Sequence, residues 1–135
     1  MDKNISIDER IEIAMQCRRN GYNCAQSTAA AFSDVLQLPQ DITVKISCGF
    51  GAGFGGLQRV CGVMSAITML EGTQADDAVA HKASVYKAVK QLGEKFENAC
   101  GSLECRELKA PGAAMPCDEI IKTGIRIYHD YLNSK

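Results

Sequence analysis

CGFGAGFGGLQRVCGVMSAITML, residues 48 to 70, decides how the chain is read. Five glycines fall within eight residues (Gly49, Gly51, Gly53, Gly55, Gly56), and an apolar run follows Cys61-Gly62. Glycine loses more backbone freedom on folding than any other residue, so this density implies positive φ angles or a close backbone approach that side chains would block. The run from Val60 to Glu71 is continuous and long enough for a buried helix. Cys61 then opens that helix.

Working outward, Ser6-x-x-Glu9 is a capping box ahead of Ile7, Ile11, Ile13, Ala14 and Cys17, predicting a helix to about Arg19 that Asn20-Gly21 ends. Asn23-x-x-Gln26 is a second cap, and the alanine-rich segment Cys24 to Leu36 favours helix throughout. Ile42, Val44, Ile46 and Cys48 alternate as a strand would, yet no other segment offers a partner. Asp41 can cap a short helix with Ile42, Ile46 and Phe50 on one side, and helix is the expectation. The longest helix is expected from Ala75 to about Asn98, with Ala75, Ala78, Val85, Val89, Leu92, Phe96 and Ala99 as a bundle seam. Ser102 caps a short turn through Cys105 and Leu108, and a last helix opens at Pro116 or Cys117. Seven helical pieces and no credible sheet predict an all-α, single-domain helical bundle over residues 1–135, with the glycine-rich loop between helices.

Composition excludes several functions. Net charge is -1, with no basic run and few aromatics, which gives nucleic acid no footprint. No apolar stretch reaches the roughly 18 residues of a membrane span, and the acidic MDKNISIDERIEI start is unlike a signal peptide, so a cytoplasmic protein is expected. Seven cysteines, an odd number, fit a secreted disulfide framework poorly and point to metal binding, catalysis or redox sensing.

The cysteines sort by position. Cys24, Cys61, Cys105 and Cys117 fall in first turns, where unpaired N–H groups and the helix dipole stabilise a thiolate by up to about 2 kcal/mol. These four are the candidate nucleophiles or metal ligands. Cys17, Cys48 and Cys100 fall in last turns and read as packing residues. No Cys-x-x-Cys exists, and Gly51-x-Gly53-x-x-Gly56 matches a dinucleotide fingerprint without the strand and sheet that give it meaning. His81 and His129 read as surface residues without metal-type partners. Arg59 is placed to stabilise a Cys61 thiolate or simply to be solvated, and Tyr22 either lies near the site or staples a helix entry.

GYNCAQS (Gly21 to Ser27), CGFGAGFGG before VCGVMSA (Cys48 to Ala66), FENACGSLECREL (Phe96 to Leu108) and a final Cys117 together resemble a bacterial and archaeal family named for the pattern C–GCAxxG–C–C. Its members are described as redox-active, and the resemblance spans roughly residues 15 to 125. The family's signature cysteines map onto Cys24, Cys61, Cys105 and Cys117. Two positions depart: Val63 stands where alanine is usual and Ala66 where glycine is usual. The cysteine-bearing segments also look similar to the iron–sulfur-binding part of certain multihaem cytochromes.

Two chemistries follow. In the first, a thiol–disulfide oxidoreductase, a low-pKa Cys61 attacks a disulfide of a partner protein or small thiol, Cys24 resolves, and Cys105 and Cys117 form a second pair. Gly51, Gly53, Gly55, Gly56 and Gly62 then admit substrate backbone to the sulfur. In the second, the same four cysteines hold an iron–sulfur cluster, or less readily zinc, whose sulfurs accept hydrogen bonds from the loop. A helical bundle with one apolar seam also suits a homodimer.

Overall fold

The computed structural model describes residues 1–113 and 115–135. Its elements are helices: α1 (Ile7–Arg19), α2 (Cys24–Ala30), α3 (Ser33–Leu36), α4 (Gln40–Ser47), a 3-10 turn (Cys48–Phe50), α5 (Gly51–Phe54), α6 (Gly62–Gly72), α7 (Lys82–Cys100), α8 (Cys105–Leu108) and α9 (Cys117–Asn133). Among the described residues there is no strand, only an isolated bridge between Val60 and Glu104. The all-α expectation holds. The short helix α2 is central, touching α1, α4, α6 and α9, and α7 closes over α6 and α9. Phe32, Ile67, Leu70, Leu92, Phe96, Ile121, Ile125 and Tyr128 fill the main core.

Of the four predicted caps, those at Ser6 and Asn23 form, whereas the N-cap of α8 is Glu104 and Ser102 Oγ accepts from the Glu104 N–H instead. Ser6 Oγ accepts from Glu9 N–H, and Asn23 and Gln26 exchange side-chain and backbone bonds as a complete capping box. Gln26 also donates to the Val44 carbonyl at 2.8 Å, which ties α4 to α2.

Three elements differ from expectation. The predicted helix over 24–36 breaks after Ala30, because the fully buried Arg10 takes the Ala31 carbonyl as an acceptor at 2.7 Å and stacks its guanidinium over the Phe32 ring at 4.5 Å. In α4 the Ile42 and Ile46 face turns outward, and Thr43, Val44 and Ser47 are buried instead; Pro39 rather than Asp41 occupies the cap position. The long helix starts at Lys82 rather than Ala75, since the Asp77 carboxylate caps the Val79 and Ala80 N–H groups in a turn. Its buried line is Ala88, Leu92, Gly93, Phe96 and Cys100, so the expected seam holds at Leu92 and Phe96, whereas Ala78 and Ala99 are exposed.

His129 is buried, against the surface reading. Its Nδ1 accepts from Arg10 Nε at 3.1 Å, and the same guanidinium makes paired bonds to the Asp34 carboxylate at 2.7 and 2.9 Å. His81, as expected, is exposed. Burial and the neighbouring Arg10 charge lower the His129 pKa against the weaker pull of Asp130 and Asp34. Burial alone would raise the Asp34 carboxyl, yet Arg10 and the Asp2 N–H together hold it below its usual range.

The sign of the pH effect follows. A histidine kept neutral by folding takes up more protons in the unfolded chain, so its contribution is complete above the unfolded pKa of about 6.5 and is lost as pH falls toward the lowered folded value. Urea unfolding from pH 7.5 to 5, kept below the range near 8.5 where the thiols of the unfolded chain ionise, is expected to show stability nearly flat at the upper end and declining below about pH 6.5. His129→Gln should remove that decline while leaving the Asp34-dependent loss below about pH 4.

Candidate functional site

The glycine loop holds a turn of left-handed backbone. Ala52, Gly53, Phe54 and Gly55 all have φ between 53° and 68°. Left-handed turns cost roughly 1–2 kcal/mol for each residue bearing a Cβ, so Ala52 and Phe54 are held there by their surroundings. The N–H groups of Gly56, Leu57, Gln58 and Arg59 all bond to carbonyls of the loop itself.

Beyond the loop, the chain meets the segment before α8 in a short antiparallel pairing. Cys61 N–H donates to the Leu103 carbonyl at 2.8 Å, Cys105 N–H to the Arg59 carbonyl at 2.6 Å, and Arg106 N–H to the Gln58 carbonyl at 3.2 Å. These bonds flank the Val60–Glu104 bridge and bring Cys61 and Cys105 to the same place.

Two missing side chains complete the convergence. A Cβ on Gly62 would lie 2.7 Å from Cys24 Sγ and 2.9 Å from the Phe50 carbonyl oxygen, so the absent methyl lets the starts of α2 and α6 meet. A Cβ on Gly53, which has φ +68°, would lie 2.9 Å from Cys105 Cβ and 2.8 Å from the Arg59 carbonyl. Gly51 sits against the Asn23 side chain, whose amide donates to the Cys48 carbonyl at 2.9 Å. Three of the five glycines expected to admit a ligand thus admit the protein's own Asn23, Cys24 and Cys105; Gly55 and Gly56 face no close neighbour beyond the Gly49 carbonyl.

The four signature cysteines line one cavity of about 20 Å³ together with Val63, Leu108, Lys109 and Ile120. Cys24, Cys105 and Cys117 are first residues of α2, α8 and α9, and Cys61 is the N-cap of α6. All seven cysteines are free thiols. Cys61 and Cys105 are buried, whereas Cys24 and Cys117 are half-buried. Lys109, one turn after Cys105, is the residue that the motif reading missed; its ammonium lowers the Cys105 pKa, though burial, the larger effect, raises it.

The expected low-pKa Cys61 is contradicted. Burial pushes its thiol up to about 12, and hydrogen bonds from the Val63 and Met64 N–H groups at the start of α6 only partly offset this. Arg59 is exposed and is not among the groups that shift it. Of the other cysteines, Cys17 and Cys100 are buried packing residues as expected, with burial raising both thiols, while Cys48 is exposed and does not pack. Tyr22 packs against the small cluster of Cys17, Ala30 and Val44, consistent with an entry staple.

A metal or cluster fits this arrangement poorly. Among the described residues no group of three or more His, Cys, Asp or Glu side chains is gathered closely enough to hold a metal ion. The enclosed space suits about one water molecule, which needs roughly 10–15 Å³, and the loop N–H groups at 56–59 are already bonded.

The departures Val63 and Ala66 are both fully packed. Val63 occupies the space a Cβ on Gly124 of α9 would need, so α6 and α9 approach across a valine-into-glycine contact.

A family model described as "Putative redox-active protein (C_GCAxxG_C_C)" matches residues 22–131, which include all four cavity cysteines. No curated protein and no solved structure matches the chain.

Two substitutions test the geometry. Gly62→Ala should cost about 1–3 kcal/mol in urea unfolding and speed alkylation of Cys24, as the added methyl pushes its sulfur outward. Gly124→Ala should cost a similar amount, and Val63→Ala in the same chain should recover most of it, a coupling that a double-mutant cycle reads directly.

Proposed function

The chain belongs to the C_GCAxxG_C_C family, described as redox-active, and on that premise we propose that its convergent cysteines carry out thiol–disulfide exchange. The whole chain, residues 1–135, serves as one redox unit in this reading. The supporting observation is four free thiols, each at the start of a different helix, lining a single cavity that suits one water rather than a cluster.

Exposure reverses the roles expected of the first pair. Half-buried Cys24 is the attacking residue: its thiolate displaces one sulfur of a substrate disulfide as a thiolate and forms a mixed disulfide with the other. Cys61, next to it, then attacks Cys24 Sγ and gives up its proton, releasing the second substrate thiol and leaving a Cys24–Cys61 disulfide. Two electrons pass from the pair to the substrate, and running the steps backward oxidises a substrate dithiol. Cys105, which senses the charge of both Cys24 and Cys117, links this pair to half-buried Cys117 as the second pair. The substrate class is a disulfide on a protein or small thiol.

The high Cys61 pKa has a kinetic consequence. Only the thiolate attacks, so resolution should accelerate about tenfold per pH unit between pH 7 and 9 without levelling.

The test uses anaerobically purified protein in a Cys48→Ser background, which removes the exposed thiol, and the aromatic disulfide 5,5′-dithiobis(2-nitrobenzoate). The Cys61→Ser variant is expected to stall as a mixed disulfide on Cys24, and Cys24→Ser should react at least tenfold more slowly at this pair. Peptide mapping identifies the adducts. Stoichiometric iron and acid-labile sulfide in the purified protein, or unchanged reaction of Cys24→Ser, would overturn the proposal in favour of a cluster or of an inert packing role.

A further inference from the structure

Four thiols, Val63, Leu108 and Ile120 line the thiol cavity together with a single charged side chain, Lys109. Lys109 is exposed, so it joins the edge of the cavity to solvent. Among the described residues no carboxylate lies within ion-pairing distance of its ammonium. Packing does not call for a cation here: the Lys109 N–H closes α8 onto the Cys105 carbonyl at 2.9 Å, a bond that any residue but proline would supply.

The other charges close to the thiols in sequence are balanced. Asp118 and Glu119, which follow Cys117 on α9, are paired with Arg18 at 2.9 Å and Lys122 at 3.3 Å. Arg59 and Arg106 line a separate cleft with Glu104 and Glu107, two charges of each sign. Lys109 is the charge left over beside the sulfurs. Its field reaches Cys105, whose thiol burial raises and the Lys109 ammonium lowers in turn.

We propose, resting on the thiol–disulfide reading above, that Lys109 is a specificity-determining residue that makes the centre favour small disulfides carrying a carboxylate close to the sulfurs. The ammonium pairs with that carboxylate while the Cys24 thiolate bonds to one half of the substrate. The substrate S–S bond breaks, and the other half leaves with the bonding electrons as a thiolate. A lysine is a point charge on a flexible stem, so it asks only that the carboxylate lie within a few bonds of the disulfide. A polypeptide disulfide fits less well. The N–H groups of Gln58, Arg59, Cys61, Glu104, Cys105 and Arg106 are already bonded, which leaves no run of free donors beside the thiols for an extended peptide.

The probes are three alkyl disulfides of similar length: anionic 3,3′-dithiodipropionate, neutral 2-hydroxyethyl disulfide and cationic cystamine. Each is mixed with the reduced full-length protein in the Cys48→Ser background, and mass spectrometry after an acid quench gives the initial rate of Cys24 adduct and Cys24–Cys61 disulfide formation. Each disulfide is compared with itself between variants, so its intrinsic reactivity cancels. Relative to the neutral probe, Lys109→Met is expected to slow the anion and speed the cation by about 1.5- to fivefold each, the range of one exposed ion pair. Lys109→Arg should keep the parent anion-to-cation ratio, and 1 M salt should bring that ratio to the Lys109→Met value. Circular dichroism shows that the variants fold. An anion-to-cation ratio unchanged in Lys109→Met would overturn the inference while leaving exchange at Cys24 in place. Absence of exchange with all three probes would overturn both the inference and the thiol–disulfide reading beneath it.

Discussion

The site depends on a contact that only a missing side chain permits. Gly62 lets Cys24 Sγ and the Phe50 carbonyl come within the radius a methyl group would occupy, so the first turns of α2 and α6 sit against each other rather than a side chain apart. From that approach the rest follows in order. The loop before Gly62 must fold back tightly, which it does through left-handed backbone, and its exit must be anchored, which the pairing of residues 58–61 with 103–106 achieves. That pairing delivers Cys105, and the α6–α9 contact at Val63 and Gly124 helps to hold α9 against the site with Cys117 at its start.

Much of this was legible in the sequence because it is local. The caps at Ser6 and Asn23 act over three residues, and the helix starts at Cys24 and Cys117 appear where cap and proline chemistry place them, whereas α8 starts at Cys105 behind Glu104 rather than the expected Ser102 cap. The convergence of the four thiols was legible only as a bet on helix ends. What stayed hidden was set by distant partners. His129 looks like any polar residue in a terminal helix until Arg10, 119 positions earlier, supplies its donor. The break after Ala30 has the same origin, since an alanine-rich run gives no hint that a buried guanidinium will claim the Ala31 carbonyl. Glycine density correctly announced a close approach, but the pattern could not say that the visitor would be the protein's own Asn23, Cys24 and Cys105.

Cys61 shows two physical effects in direct competition. Its position at the head of α6 gives it N–H donors that favour the thiolate, the effect that pattern reading weighs. The same convergence that gathers four sulfurs also removes water from around Cys61, and removing water disfavours charge more strongly than two peptide donors favour it. Gathering thiols therefore works against activating them. Nearby Cys24 and Cys105 add to the penalty, since a second thiolate in the same small space would repel the first. On the thiol–disulfide reading proposed above, such an arrangement suits attack by the half-buried Cys24 and resolution by the buried Cys61.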